Sequence, residues 1–147
     1  MNLPTAEEQV KFLTNLQRLL AEGQFVATYK YALLLALADI SIESGDESGK
    51  GLKIPSKLIA EKFVIYYWRQ CIPYVQRDNS APGQILRQNT AGQAAIIKRI
   101  SKSRSRNGGS LLLAHRDKVG WKSLVQEVDA IVRQMPLWKL QTVGRSQ

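Results

Sequence analysis

The chain has 147 residues, 44% of them hydrophobic, and a formal net charge of +9. This length and composition fit one globular domain and exclude a disordered chain. One cysteine, Cys71, excludes an internal disulfide, and with one histidine, His115, it is too few for a four-ligand zinc site. These counts favour a reducing, cytoplasmic compartment, and we expect no cofactor on this chain.

The charge is divided unequally along the chain. Residues 1–47 hold three basic and seven acidic residues, a net of −4, whereas residues 48–147 hold eighteen and five, a net of +13. From Asn79 to Arg116 there is no acidic residue. A block of one sign indicates a polyanionic partner, most commonly nucleic acid. We predict a single helical domain, 1–147, with a near-neutral packing half at 1–47 and a basic, DNA-facing half at 79–122.

No segment of the sequence resembles a membrane span or a secretory signal. The most apolar run, Tyr31–Ile42, contains Asp39 and is well short of the roughly 20 residues that cross a bilayer. Glu7 and Glu8 near the N-terminus are also unlike a secretory signal. We therefore predict no membrane partner.

The first three predicted elements are helices, although the aromatic and β-branched run Phe63–Trp68 in the third also fits a local strand. Thr5 and Glu8 have the spacing of a capping box, and Gly23 is placed to end the helix that they begin. The second helix is apolar on nearly all sides, which is typical of a central core helix. A loop at 45–54, rich in glycine and charge, separates it from the third. The predicted bounds are Thr5 to Gly23, Thr28–Ser44 and Pro55–Cys71.

The second half predicts two further helices. Thr90 and Gln93 form another capping-box pair, opening a helix to about Ser103. Ser101–Gly109 is predicted as a mobile basic loop. The last helix, about Asp117–Gln134, has the clearest apolar stripe, and Leu137–Val143 could form a short strand. The predicted class is therefore mainly α, a compact domain of about five helices with one optional C-terminal strand.

The fourth predicted helix separates apolar from basic residues. At 3.6 residues per turn, Ile96, Ile97 and Ile100 share one face, and the basic residues fall on the opposite face. The basic face is either a phosphate-binding surface or an ordinary solvated helix face, and the lack of balancing acids favours the first. The candidate DNA-binding residues are Arg87, Lys98, Arg99, Lys102, Arg104, Arg106 and Arg116.

Other candidate site residues have structural interpretations that we favour. The aromatic run Tyr66–Trp68 could stack on bases, but it lies within an apolar segment, which favours core packing. Trp121 begins the last apolar stripe and is predicted to be buried. His115 and Asp117 could suggest a general base, but no nucleophile accompanies them, so a surface role is preferred.

Several extended segments resemble the N-terminal region of a family of bacterial HNH endonucleases. They are LPTAEEQVKFLTNLQRLLAEGQFVATYKYALLLALADISIE, IAEKFVIYYWRQCIPY, LRQNTAGQAAI and MPLWKLQTVG. The resemblance covers nearly the whole chain in linear order. In that family the metal-binding nuclease motif lies toward the C-terminus, beyond the part that this chain matches. No residue here therefore receives the family's catalytic or metal-binding roles.

The resemblance implies that the chain is related to nucleases. Because the chain does not include the nuclease motif, the resemblance also implies that the chain itself is a non-catalytic module. We expect this chain to hold DNA phosphates and position DNA for an HNH nuclease, with a divalent metal only in the absent nuclease part. Whether it belongs to an enzyme is left open. The alternative is a protein-interaction or structural module that docks onto the nuclease part or onto a subunit of a defence complex.

Overall fold

The computed structural model describes residues 4–22, 28–46, 48, 50–73, 85 and 94–137, and all statements below concern these residues. They form six α-helices and a closing π-helical turn, and none of them lies in a strand. The predicted mainly α class is confirmed. The helices are α1 (Ala6–Glu22), α2 (Tyr29–Ser44), α3 (Ser56–Gln70), α4 (Ala95–Arg106), α5 (Leu111–Arg116) and α6 (Lys118–Val132), and the π-helical turn is Arg133–Leu137.

Helix α1 begins as its capping box predicts. The Thr5 N–H donates to Glu8 Oε2 at 2.8 Å, and the Glu8 N–H donates to Thr5 Oγ1 at 3.3 Å. These hydrogen bonds satisfy N–H groups that have no partner within the helix. The bonds from Thr5 also lower the pKa of the Glu8 carboxyl. However, none of the α1 side chains that the structure describes belongs to the buried core, so these side chains lie on the outside of the domain.

The core is built from α2, α3, α4 and α6, with α3 packed against the other three. The Tyr29 and Tyr67 rings meet edge to face, with centroids 5.9 Å apart, and Phe63 packs against both. Such aromatic pairs add stabilisation beyond the area that they bury. Burial raises the pKa of Tyr67 to about 12, and its hydroxyl lies 2.7 Å from Thr28 Oγ1.

The aromatic run of α3 belongs to the fold and is not available for stacking on bases. Tyr67 and Trp68 are buried, and the Trp68 Nε1–H donates to the Gly109 carbonyl at 2.9 Å. Tyr66 is half-buried, and its hydroxyl donates to Asp39 Oδ2 at 2.6 Å. Their polar groups therefore hydrogen-bond to neighbouring segments of the fold, as is usual for buried tyrosine and tryptophan.

Helix α4 extends further than predicted. Residues Ser101 to Arg106 are helical, so the predicted mobile loop at Ser101–Gly109 is wrong over most of its length. Ile100 is fully buried, and the helix continues for six residues beyond it. The chain then turns at Gly108 and Gly109, with φ values of 56° and 81°. Glycine adopts these left-handed angles without the penalty of a Cβ, which fits a helix C-terminus. The Thr90–Gln93 pair lies outside the described residues.

A short helix that the sequence did not predict connects α4 to α6. Ser110 Oγ accepts the Leu113 N–H at 3.2 Å and begins α5. One turn later, Asp117 Oδ1 accepts the Gly120 N–H at 3.0 Å and begins α6. Side-chain oxygens at these positions stabilise helix starts. The predicted last helix and its buried stripe are confirmed. Of the optional strand, Leu137 lies in the π-helical turn and the rest lies outside the described residues.

Candidate nucleic-acid interface

Helix α4 places its apolar and basic residues on opposite sides, as its spacing predicts. Ile96, Ile97 and Ile100 are fully buried. Lys98, Arg99 and Lys102 are exposed on the other side. The buried isoleucines fix the rotation of the helix, so the three cations point to solvent without any cost to the core.

The exposed side of α4 borders a groove that we call the basic groove. It has a volume of about 400 Å³ and lies between the C-terminal half of α4 and the start of α6. Three cations of α4 line one wall. Opposite them lie side chains and backbone of the first turns of α6. The lining residues are Arg99, Lys102, Ser103, Arg106, Asn107, Asp117, Val119, Gly120, Ser123, Leu124 and Glu127.

The predicted site residues omitted two exposed cations of α6. Lys118 and Lys122 are exposed on the first two turns of α6, but neither lines the groove. Arg116, at the end of α5, is also exposed and precedes them directly. The lysines could have been identified from their position at the start of the helix with the clearest apolar stripe. They were left out because the acid-free tract ends at Arg116, before Asp117.

The tract that lacks acids in sequence does have acidic neighbours in space. Arg99 Nε lies 3.3 Å from Glu127 Oε2, and both side chains are about half exposed. Asp117 also lines the groove. An exposed ion pair of this kind contributes only about 0–1 kcal/mol to stability. Its larger effect is to offset the positive field of Arg99, so Lys102 and Arg106 contribute more of the groove's positive field.

Arg104 is oriented differently from the other predicted contact residues. It is only partly exposed, and its Nε is buried without a hydrogen-bond partner. Its Nη2 lies 3.1 Å from the position that a Cβ on Gly109 would occupy. The guanidinium therefore covers the turn after α4, and solvent reaches it less than it reaches Lys102. Arg87, the remaining predicted residue, lies outside the described residues.

A family model described as "Domain of unknown function (DUF8808)" matches residues 9–138, which is most of the chain. The chain belongs to the DUF8808 family. Neither curated proteins nor solved structures give a match. The DUF8808 description assigns no activity, so the relation to HNH endonucleases stays a prediction.

The other candidate site residues of this DUF8808 domain, His115 and Asp117, have structural roles. The His115 ring packs on Trp121, with centroids 4.5 Å apart, and Asp117 caps α6.

Within the described part of the chain, no three His, Cys, Asp or Glu side chains are grouped as they would be to hold a metal. No described helix is long and apolar enough to cross a membrane. Burial raises the pKa of the Cys71 thiol, which disfavours the reactive thiolate.

Proposed function

We propose that this domain is a non-catalytic module that binds the phosphate backbone of DNA through the basic groove and positions the DNA for an HNH nuclease. The observation that supports the proposal is the exposed row of cations on α4, held outward by the buried isoleucines on its other face. The nuclease connection comes from the sequence resemblance alone.

The distribution of charge favours phosphate as the ligand. Residues 94–137 contain nine basic and three acidic residues, a net of +6 within 44 residues. Within the described residues, Lys98, Lys102 and Arg106 form no ion pair. Cations that are not already paired can replace counterions on a nucleic-acid backbone, and this release drives binding without regard to sequence.

The polar lining of the basic groove suits the same ligand. Ser103, Asn107 and Ser123 line it together with the cations. Hydroxyl and amide groups commonly donate to phosphate oxygens and fix the position of the backbone. The two carboxylates in the lining disfavour a second anion beside them. We therefore expect phosphates to lie nearest Lys102 and Arg106, away from Glu127.

A charge-matched pair of variants tests this proposal. Replacing Lys98, Arg99 and Lys102 by Gln removes three charges from the basic face. Replacing Lys50, Lys53 and Lys57 by Gln removes three exposed charges from the segment around the start of α3. Both variants have the same net charge. We expect fluorescence anisotropy on a DNA duplex at low salt to show at least a tenfold loss of affinity for the first and a much smaller loss for the second. Equal losses would mean that only total charge matters.

The second candidate function, protein docking, is favoured by a different surface. Several large apolar side chains of α1 and α2 are exposed, among them Phe12 and Tyr31. Exposed apolar surface of this kind is typical of interaction sites. These residues do not overlap the basic groove, so DNA binding and docking can belong to one domain.

A further inference from the structure

Helices α4 and α6 face each other across the basic groove, and an ion pair joins its two walls. The groove side of α4 carries Arg99 and, two turns later, Arg106. The groove side of α6 carries Gly120 and, two turns later, Glu127. Residues seven apart lie on nearly the same side of a helix. Arg99 Nε lies 3.3 Å from Glu127 Oε2, so the acid on one wall meets a cation on the other.

Glu127 differs from Asp117, the other acid that lines the groove. Asp117 Oδ1 accepts the Gly120 N–H at 3.0 Å and caps α6, which gives this carboxylate a role in the fold. The contact that the structure gives the Glu127 carboxylate is the one to Arg99. Both partners of this pair are about half exposed, and such pairs add little to stability. Glu127 therefore matters more to a ligand in the groove than to the fold.

A carboxylate and a phosphate compete for the same guanidinium. Both are anions that accept hydrogen bonds from the planar fork of N–H donors in arginine. An arginine that already holds a carboxylate has little counterion to release when DNA arrives, so it contributes little to binding. Glu127 belongs to a helix that Leu124 and Val128, both buried, fix against the core. Its carboxylate is thereby kept within reach of Arg99.

We propose that Glu127 competes with DNA for Arg99, and that it directs the phosphate backbone to Lys102 and Arg106. This is a positioning role, because Glu127 acts through Arg99 and not by contact with the DNA. The proposal rests on the proposed function, since it concerns the same groove and the same ligand. It deepens that function by assigning the strength and the position of DNA binding to an acidic residue.

Neutralising Glu127 should strengthen DNA binding. In Glu127→Gln, Arg99 becomes free to neutralise one more phosphate, so the slope of log K against log salt concentration should steepen by about 0.9. The affinity for a DNA duplex at low salt should rise about three- to tenfold by the same rule. Glu7→Gln is the matched control, because Glu7 is exposed on α1 and its replacement changes the net charge equally. It should change the slope much less.

A double-mutant cycle tests the competition itself. Arg99→Gln should flatten the slope by about 0.9 in the Glu127→Gln background, where Arg99 holds a phosphate. It should flatten the slope clearly less in the wild-type background, where Glu127 already occupies Arg99. Equal flattening in both backgrounds would mean that the two residues act independently. Thermal melts of each variant check that the fold is kept.

The results separate this proposal from the function on which it rests. A wild-type chain that binds DNA, together with a Glu127→Gln variant that gains no more than Glu7→Gln, would overturn the proposal alone. So would equal effects of Arg99→Gln in the two backgrounds. A wild-type chain that binds no duplex at low salt would overturn the proposed function, and the role of Glu127 with it.

Discussion

Trp121 is a core residue that also packs against α5. It is 8% exposed at the start of α6, and its ring packs against His115. Trp121→Ala should cost roughly 3–5 kcal/mol, because it removes a large buried side chain and leaves a cavity. Thermal melts measure the loss. Val119→Ala, two residues away and exposed, is the control and should change stability by less than about 0.5 kcal/mol. A loss for Trp121→Ala no larger than for this control would contradict its placement in the core.

Gly109 is required by the turn after α4. Its φ of 81° is one that side chains with a Cβ rarely adopt, and Arg104 Nη2 would lie 3.1 Å from that atom. Gly109→Ala should therefore destabilise the domain by about 1 kcal/mol or more. Gly51→Ala is the control, because nothing lies within 4 Å of the added Cβ and its φ needs no glycine. Urea unfolding of both variants measures the difference. Equal stability would show that the turn tolerates a side chain.

At the scale of elements, the sequence predicts best where a local signal and burial agree. Helix α6 has a continuous apolar stripe, and its buried Trp121, Val125 and Val128 follow it. Helix α4 has buried isoleucines at its start but serines and arginines beyond Ile100. Its last turn was therefore predicted as a loop. That turn is stabilised by bonds that composition does not reveal, such as Gly109 N–H to the Arg104 carbonyl at 2.9 Å.

The short helix α5 and the position of α1 show two other limits of sequence reasoning. Six residues give too few turns for a periodic signal, and the Ser110 cap of α5 resembles ordinary loop composition. Helix α1 has a clear apolar stripe, which predicts packing but not the surface that it packs on. Within the described part of the domain, Phe12, Leu16 and Leu20 of that stripe face α2 across a groove, and none of the three is buried. Spacing identifies an amphipathic face and leaves its partner undetermined.

The candidate site was predictable in part. The outward direction of Lys98, Arg99 and Lys102 follows from helical spacing and is confirmed by their exposure. The pairing of Arg99 with Glu127 was not predictable, because it joins residues of different helices. The inward position of Arg104 likewise depends on the turn at Gly109. The charge along the sequence thus indicated a basic surface. Contacts between helices and turns decide which of its cations are available to a ligand.

At the scale of the whole molecule, the chain separates two surfaces of different character. An apolar groove lined by Phe12, Leu16 and Leu34 lies between α1 and α2, and the basic groove lies between α4 and α6. Helix α3 packs between α2 and the α4–α6 pair.

The dependence of DNA binding on salt tests the central claim most directly. Each phosphate that is neutralised contributes about −0.9 to the slope of log K against log salt concentration. With Lys98, Lys102 and Arg106 engaged and Arg99 partly offset by Glu127, α4 alone should contribute roughly −3 to −4 by this rule. Fluorescence anisotropy across a salt series measures the slope. Replacing Lys98, Arg99 and Lys102 by Gln should flatten it by about 2–3 units, while the Lys50, Lys53 and Lys57 variant should keep it. A triple variant of α4 that keeps both the slope and the affinity of the wild type would contradict the account and leave its basic face as solvated surface.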